Sequence, residues 1–140
     1  MPNKLLIDVN VCLDLLLKRN PHLQPAAQIF EASEKGKIQG IVSAISFDTM
    51  FYIMRQSLSA QQATKKLKDL SSIIQVGAVD GSVIASALND GWNDLEDAIQ
   101  AATASHASCD AVITRNIKDF KRGRIPAFSP AAYISTYLSS

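Results

Sequence analysis

Carboxylate side chains recur in this sequence beside the ends of predicted strands and the starts of predicted helices. Asp8 directly follows an apolar run, and Asp48 lies in the first turns of the helix that follows another such run. Asp97 lies in the first turn of a later helix, and Asp119 comes shortly after a third apolar run. Carboxylates that converge repel one another, and a hard divalent cation with oxygen ligands is the usual remedy. The repeated placement therefore predicts an acidic metal site.

The first acid ends the apolar run that starts at Lys4. A short run without polar alternation is typical of a strand that is covered on both faces, as in a parallel sheet. Ligands of open α/β sheets bind outside the carboxyl ends of the strands, so Asp8 and Asn10 are placed for chemistry. The alternative is that Asp8 or Asn10 only caps the next helix. This stretch alone does not decide between the two.

The elements that must position these acids alternate along the chain. After the first strand, further strands are predicted over 39–42, 72–76, 111–114 and 125–128. Helices are predicted over about 10–17, 25–36, 44–56 and 95–105. Three more are predicted from their start signals: one opened by the capping-box pair Ser59 and Gln62, one capped by Asp80, and one that begins at Ser129. Strands that alternate with helices across short loops predict an α/β fold with a parallel sheet and right-handed crossovers.

Length and composition limit the class of protein. The chain has 140 residues, of which 47% are hydrophobic and 19% charged, with a net charge of +1. These values predict one folded domain over residues 1–140 and exclude a disordered chain. No apolar run reaches the roughly 18 residues that a membrane span needs, and no signal peptide is recognisable, so we expect a cytoplasmic protein. Cys12 and Cys109 are far apart in sequence and are expected to be buried free thiols.

Four short motifs occur in a fixed order along essentially the whole chain. They are Leu6-Ile7-Asp8-Val9-Asn10, Val42-Ser43-Ala44-Ile45 leading to Asp48, Asp94-Leu95-Glu96-Asp97-Ala98, and Val112-Ile113-Thr114-Arg115-Asn116 leading to Asp119-Phe120. In order and spacing they resemble the motifs of the PIN-domain ribonucleases, and the VapC-type toxins of bacterial toxin–antitoxin systems are the most similar group. Any one motif is weak evidence, but the four together are specific.

The resemblance implies a three-layer fold, with a central parallel five-stranded sheet and helices on both faces. It also implies an acidic pocket that binds Mg²⁺ or Mn²⁺ and cleaves RNA. The catalytic acids it implies are Asp8, Asp48, Asp97 and Asp119; we assign Asp8, Asp97 and Asp119 to the metal, and Asn10, Thr114 and Asn116 to the substrate or to holding the acids.

Asp48 departs from the family pattern, which usually has Glu at this point. Its side chain is one methylene shorter, so we expect Asp48 to reach the metal through water or to orient water. The chemistry needs no histidine, because a metal ion can activate the attacking water and stabilise charge on the phosphate. His22 and His106 lie outside the motifs.

Basic residues cluster beside the last acid. Five of them fall within ten residues, namely Arg115, Lys118, Lys121, Arg122 and Arg124. They place positive charge where an RNA backbone must approach, and Arg115 and Lys118 are assigned to the substrate. A solvated loop is the alternative for any one of them. Trp92 either stacks on a base or, beside Gly91, covers the end of a helix.

The third predicted helix is apolar on nearly all sides. It carries Phe47, Met50, Phe51, Tyr52, Ile53 and Met54, too many for one core-facing stripe about 100° wide. One explanation is that the fourth helix covers part of this surface. The resemblance suggests instead a groove for a small antitoxin and a homodimer, with Met54 on the partner surface.

Two other function classes were weighed. A catalytically inactive RNA- or protein-binding module of the same fold is the stronger alternative, because Asp48 departs from the pattern. A haloacid-dehalogenase-like phosphohydrolase also begins with a strand that ends in Asp. That class expects a second Asp where Asn10 stands, and a later Lys followed by Gly-Asp, which this chain lacks.

Overall fold

A five-stranded parallel sheet forms the centre of the molecule. The computed structural model describes residues 1–139, and its strands lie in the order β3-β2-β1-β4-β5. They are β1 Lys4–Ile7, β2 Gln39–Ser43, β3 Gln75–Gly77, β4 Ala111–Ile113 and β5 Ala127–Phe128. In the central strand, Leu6 pairs with Ile41 of β2 on one side and Val112 of β4 on the other.

Helices cover both faces of this sheet. They are α1 Val9–Leu16, α2 Leu23–Glu34, α3 Ala44–Met54, α4 Ala60–Ser71, α5 Gly81–Asn89, α6 Leu95–His106 and α7 Pro130–Tyr133, with a 3₁₀ helix at Ile117–Phe120 and a π-helical segment at Ile134–Leu138. Side chains of β1 alternate between the faces: Leu5 and Ile7 pack in the core with α1 and α2, whereas Leu6 packs in a second core with Ala104 of α6. The strand is therefore apolar throughout, as the sequence predicts for a doubly covered sheet.

Helix starts follow their predicted caps. Ser59 accepts a hydrogen bond from the Gln62 backbone N–H at 3.1 Å, and the Gln62 side chain accepts one from the Ser59 N–H at 2.9 Å, which completes the capping box of α4. The side chains of Asp80 and Asp94 cap α5 and α6 in the same position. Asp94 thereby fixes the first turn of α6, where Asp97 lies.

Several boundaries differ from the sequence-based expectation. β3 starts at Gln75 instead of residue 72, because the backbone N–H groups of Ser72 and Ile73 still bond to carbonyls of the last turn of α4. β5 has two residues instead of four. The 3₁₀ helix Ile117–Phe120, which carries Asp119, was not predicted. Its few residues leave no helical periodicity to read in the sequence.

The apolar surface of α3 is mostly covered within the chain. Met50 and Met54 are fully buried, and Phe47, Phe51 and Ile53 pack partly buried against the same core. The prediction that Met54 belongs to a partner surface is therefore wrong. Helix α3 packs against α4 and α1, and these two helices cover the apolar surface that exceeds one core-facing stripe.

Two further expectations concern cysteines and membranes. Cys12 and Cys109 are free thiols and buried, as predicted. Burial raises the pKa of Cys109 to about 11, so both are packing residues and not reactive thiols. None of the helices within residues 1–139 has the length and apolar character needed to cross a bilayer.

Candidate active site

Asp8 lies at the carboxyl end of the central strand and is buried. It occupies the N-cap position of α1, but its carboxylate makes no capping hydrogen bond. Instead, Thr114 donates its hydroxyl to Asp8 Oδ2 at 2.8 Å, and the Gln100 side chain donates to Oδ1 at 3.0 Å. The capping alternative for Asp8 is therefore not realised. Two donors from different elements hold the carboxylate in one orientation.

Gln100 belongs to this site, although it is not among the residues predicted from the sequence. It is fully buried, and its Oε1 also accepts a hydrogen bond from the Val9 backbone N–H at 3.2 Å. The one available signal is its position three residues after Asp97, which places both on neighbouring faces of α6. A glutamine in a helix of small residues is otherwise unremarkable, so spacing alone did not distinguish it from a solvated side chain.

Asp97 lies in the first turn of α6 in an acidic environment. Its pKa is raised to about 7, chiefly by partial burial and then by the neighbouring charges of Asp94, Asp8, Asp119 and Glu96, in that order. The pKa of Asp8 is also raised, chiefly by burial, with Asp119 as the acid that acts on it. Three of the four predicted acids therefore influence one another electrostatically, across β1, α6 and the 3₁₀ helix.

Asp48 is not brought to this group. It is exposed on α3 and lines a shallow groove with Phe51, Tyr52 and Arg55. Within residues 1–139, the charges that act on Asp8 and Asp97 do not include Asp48. The next residue, Thr49, has its hydroxyl hydrogen-bonded to Glu96 of α6.

One face of α3 meets α6 along a seam of hydroxyl groups. Ser43, at the start of α3, lies 3.1 Å from Thr103 between their hydroxyl oxygens, and Thr49 bonds to Glu96 at the other end. Ser46 lies between them in the sequence, three residues from each, and is therefore a neighbour of both on the helix surface. Its hydroxyl is the one buried side-chain N or O atom within residues 1–139 that has no hydrogen-bond partner. Position 49, and not 48, therefore makes the contact between this helix and Glu96 of α6.

The predicted substrate residues divide into two groups. Thr114 is buried and fixed between Asp8 and the Asn116 backbone N–H, which donates to the Thr114 hydroxyl at 3.0 Å. Asn10 is half-buried in the first turn of α1, and the side chains of Asn116 and Lys118 are exposed near Asp119.

Arg115 differs, because its guanidinium binds the buried Asp14 carboxylate. Nε donates to Asp14 Oδ2 at 2.7 Å, and Nη2 donates to Oδ1 at 3.2 Å. Arg19 approaches the same carboxylate at 3.8 Å. The Arg115 charge is thus largely compensated, and its evident role is to join the turn after β4 to α1.

The donor set fits a hard divalent cation in its chemistry. Asp8, Asp97 and Asp119 offer only oxygen ligands, and the pKa values of Asp8 and Asp97 are raised chiefly by burial and further by the neighbouring acids. Among residues 1–139, however, no three His, Cys, Asp or Glu side chains already converge closely enough to hold an ion. Water ligands or side-chain movement would have to complete the coordination.

Comparison with known proteins agrees with this architecture. Residues 4–118 match the family model described as PIN domain. VapBC2 from Rickettsia felis bound to a promoter DNA fragment is similar at 20% identity, covering 90% of this chain and 98% of that chain with a TM-score of 0.66. DNA-bound VapBC from Salmonella typhimurium is similar at 18% identity, covering 91% and 98% with a TM-score of 0.72.

A third similar structure is VapBC-1 from nontypeable Haemophilus influenzae, at 16% identity, with coverage of 91% and 98% and a TM-score of 0.67. No curated protein matches the chain. At these identities the structural likeness shows the fold, and the family model covers most of the sequence including the first three motifs. The chain belongs to the PIN domain family.

Proposed function

We propose that this protein is a ribonuclease that depends on Mg²⁺ or Mn²⁺, and that it is the toxin of a toxin–antitoxin pair. The observation that carries the proposal is the crowding of Asp8, Asp97 and Asp119 where β1, α6 and the turn after β4 meet. A carboxylate whose pKa is about 7 in an otherwise ordinary helix has unbalanced charge around it, and such groups concentrate at functional sites.

Asp8, Asp97 and Asp119 would hold the metal. A bound divalent ion supplies a Lewis acid for the phosphate and lowers the pKa of a bound water. The chain's own groups do the positioning: Thr114 and Gln100 orient Asp8, and Asp94 fixes the turn that carries Asp97. Asn10, Asn116 and Lys118 would contact the RNA. Arg115, which is engaged with Asp14, would act on the substrate only through the turn it holds.

Glu96 is proposed as the fourth acid in place of Asp48. It adds to the negative charge at Asp97 and is held by Thr49 from α3. Asp48 lines the groove on α3, and its charge is not among those that act on Asp8 or Asp97.

A catalytically inactive binding module of the same fold is the second candidate. It is favoured by one observation: the residue of α3 that contacts Glu96 is the neutral Thr49, where a carboxylate would complete the acidic set.

One experiment separates the two. The purified protein is incubated with end-labelled single-stranded RNA in Mg²⁺, Mn²⁺ or EDTA. We expect cleavage with either metal, none in EDTA, and a loss of at least 100-fold in Asp8→Asn and Asp97→Asn. Asp69→Asn, an exposed acid on α4, is the matched control and should cleave normally. Cleavage that survives EDTA would contradict the metal mechanism, and metal binding without any cleavage would favour the inactive module.

The proposed protein partners are suggested by the similar structures described above. Those structures are named as VapBC complexes, so we propose that a small antitoxin protein binds this chain and blocks the acidic site. We also propose a homodimer. The exposed side chain of Tyr52, beside Phe51 and Arg55 in the groove on α3, is the surface offered to one of these partners.

A further inference from the structure

A second cleft lies along α6, on the side that faces the loop before β5. Its volume is about 390 Å³. Its lining includes the ring side chains of Trp92, Phe120 and His106 and the basic side chains of Arg122 and Arg124. This volume falls in the range of small-ligand sites, roughly 300–1,000 Å³. None of the roles assigned above to the acidic site uses it.

The cleft begins one helical turn beyond Asp97, and none of the three acids of the site lines it. Ala101 and Ser105 line it, and they lie four and eight residues after Asp97 on the same helix. At a rise of about 1.5 Å per residue, these positions follow Asp97 along one side of α6 by roughly 6 and 12 Å. Phe120, on the opposite wall, immediately follows Asp119. A nucleic acid strand with a phosphate at the acids would therefore run into this cleft with its next nucleotides.

The aromatic wall of the cleft is rigid. Trp92 is half-buried, and its ring packs edge-on against Phe120, with ring centroids 6.0 Å apart and an interplanar angle of 70°. On its other side the ring lies close to the backbone of Gly123, where an added Cβ would come within 3.8 Å of it. Arg122 fixes the loop by donating to the carbonyls of Gly91 at 2.9 Å and Asp90 at 3.2 Å. Trp92 thus covers a helix end and also forms part of a preformed wall.

The charge of the cleft is positive. Arg122 binds only carbonyl oxygens, and Arg124 is exposed and makes no hydrogen bond or ion pair with any residue in 1–139. Asp90 is the one acid among the lining residues. An aromatic wall beside unpaired cations is the combination with which proteins bind single-stranded nucleic acid without reading its sequence.

We propose that this cleft binds the nucleotide adjoining the scissile phosphodiester, with its base against Trp92, whose ring is supported by the buried Phe120, and its phosphate beside Arg124. The assignment of the scissile position rests on the proposed ribonuclease function. Binding in the cleft does not, because it needs neither the metal nor cleavage.

The test uses the intrinsic fluorescence of Trp92, which is the only tryptophan of the chain. A ten-nucleotide oligouridylate is titrated into the full-length protein in EDTA, so that no cleavage can occur. We expect saturable quenching, together with roughly tenfold weaker binding in Arg124→Gln. Loss of one phosphate contact should also reduce the slope of log K against log salt by about 0.7. Lys68→Gln, an exposed cation of the same charge on α4, is the matched control and should change neither value.

Variants that lack Trp92 have no tryptophan fluorescence signal, so their binding is measured in another way. Trp92→Ala is measured by the anisotropy of a labelled oligouridylate and should bind at least fivefold more weakly, whereas Trp92→Phe should bind nearly as well as wild type. Absence of quenching, or equal weakening in Arg124→Gln and Lys68→Gln, would overturn the proposal. Quenching by a purified antitoxin and not by RNA would assign the cleft to a protein. Quenching that persists in an Asp8→Asn protein unable to cleave would separate this proposal from the proposed function.

Discussion

At the residue scale, the protonation of Asp97 should make the stability of the metal-free protein depend on pH. Its folded-state pKa of about 7 lies above its ordinary value of 3.8, so between these values the folded chain keeps a proton that the unfolded chain has released. Stability therefore falls as pH rises through this window, and the loss is complete above pH 7.

We predict that Asp97→Asn is more stable than wild type at pH 8 in EDTA and not at pH 4. Since Asp97 is only partly buried, solvent screening limits the gain to about 1 kcal/mol. Urea unfolding midpoints at the two pH values measure it, with the exposed Asp48→Asn as control. An equal gain at both pH values would show that charge repulsion is not the cause.

The second prediction concerns whether Glu96 or Asp48 is the fourth acid of the site. We predict that Glu96→Gln lowers RNA cleavage at least tenfold, because it removes a charge next to Asp97, and that Asp48→Asn leaves cleavage within twofold of wild type. Initial rates at saturating Mn²⁺ measure both. The opposite pattern, with Asp48 essential and Glu96 dispensable, would return Asp48 to the catalytic set.

At the element scale, the turn after β4 is held by the buried pair of Asp14 and Arg115. The Asp14 carboxylate is 1% exposed, so removing Arg115 leaves a nearly uncompensated charge in the core. We predict that Arg115→Gln destabilises the fold by about 3 kcal/mol, as loss of one partner of a buried pair typically does. The free energy of unfolding in urea measures it.

Arg19→Gln is the matched control for this pair. Arg19 is 3.8 Å from the same carboxylate and partly exposed, so its removal should cost less than about 1 kcal/mol. Removing both charges in Asp14→Asn/Arg115→Gln should recover part of the loss. Equal effects of the two arginine substitutions would mean that Arg115 does not anchor the turn.

The elements also show what could be predicted from the sequence. The sheet and the helices followed from apolar runs and caps, because those signals are local. The role of Gln100 could not be predicted in this way, because it depends on the packing of α6 against β1, and the residues next to Gln100 in sequence do not reveal that packing. Asp48 was assigned by its type, whereas the side chain of α3 that bonds to Glu96 of α6 belongs to the next residue, Thr49. One residue along a helix changes direction by about 100°, so a motif read without its helical phase can select the wrong side chain.

Packing between elements explains the error at Met54 in the same way. The composition of α3 correctly indicated more apolar surface than one core-facing stripe holds. The helices that cover it, α1 and α4, lie elsewhere in the sequence, and their docking cannot be read from α3 itself. What remains open to a partner is the side chain of Tyr52, which is 72% exposed.

At the scale of the whole molecule, the last prediction is that the isolated chain dimerises through the groove around Tyr52. A large aromatic side chain offers much apolar area at little entropic cost, and such residues dominate interface energetics. Tyr52→Glu should shift sedimentation at micromolar concentration from dimer toward monomer and weaken self-association at least tenfold. Its fold should be unaffected because the side chain makes little contact with the core. Leu88→Glu, at another exposed apolar position on α5, is the matched control. A strictly monomeric wild type, or equal effects of the two substitutions, would leave this groove to the antitoxin alone.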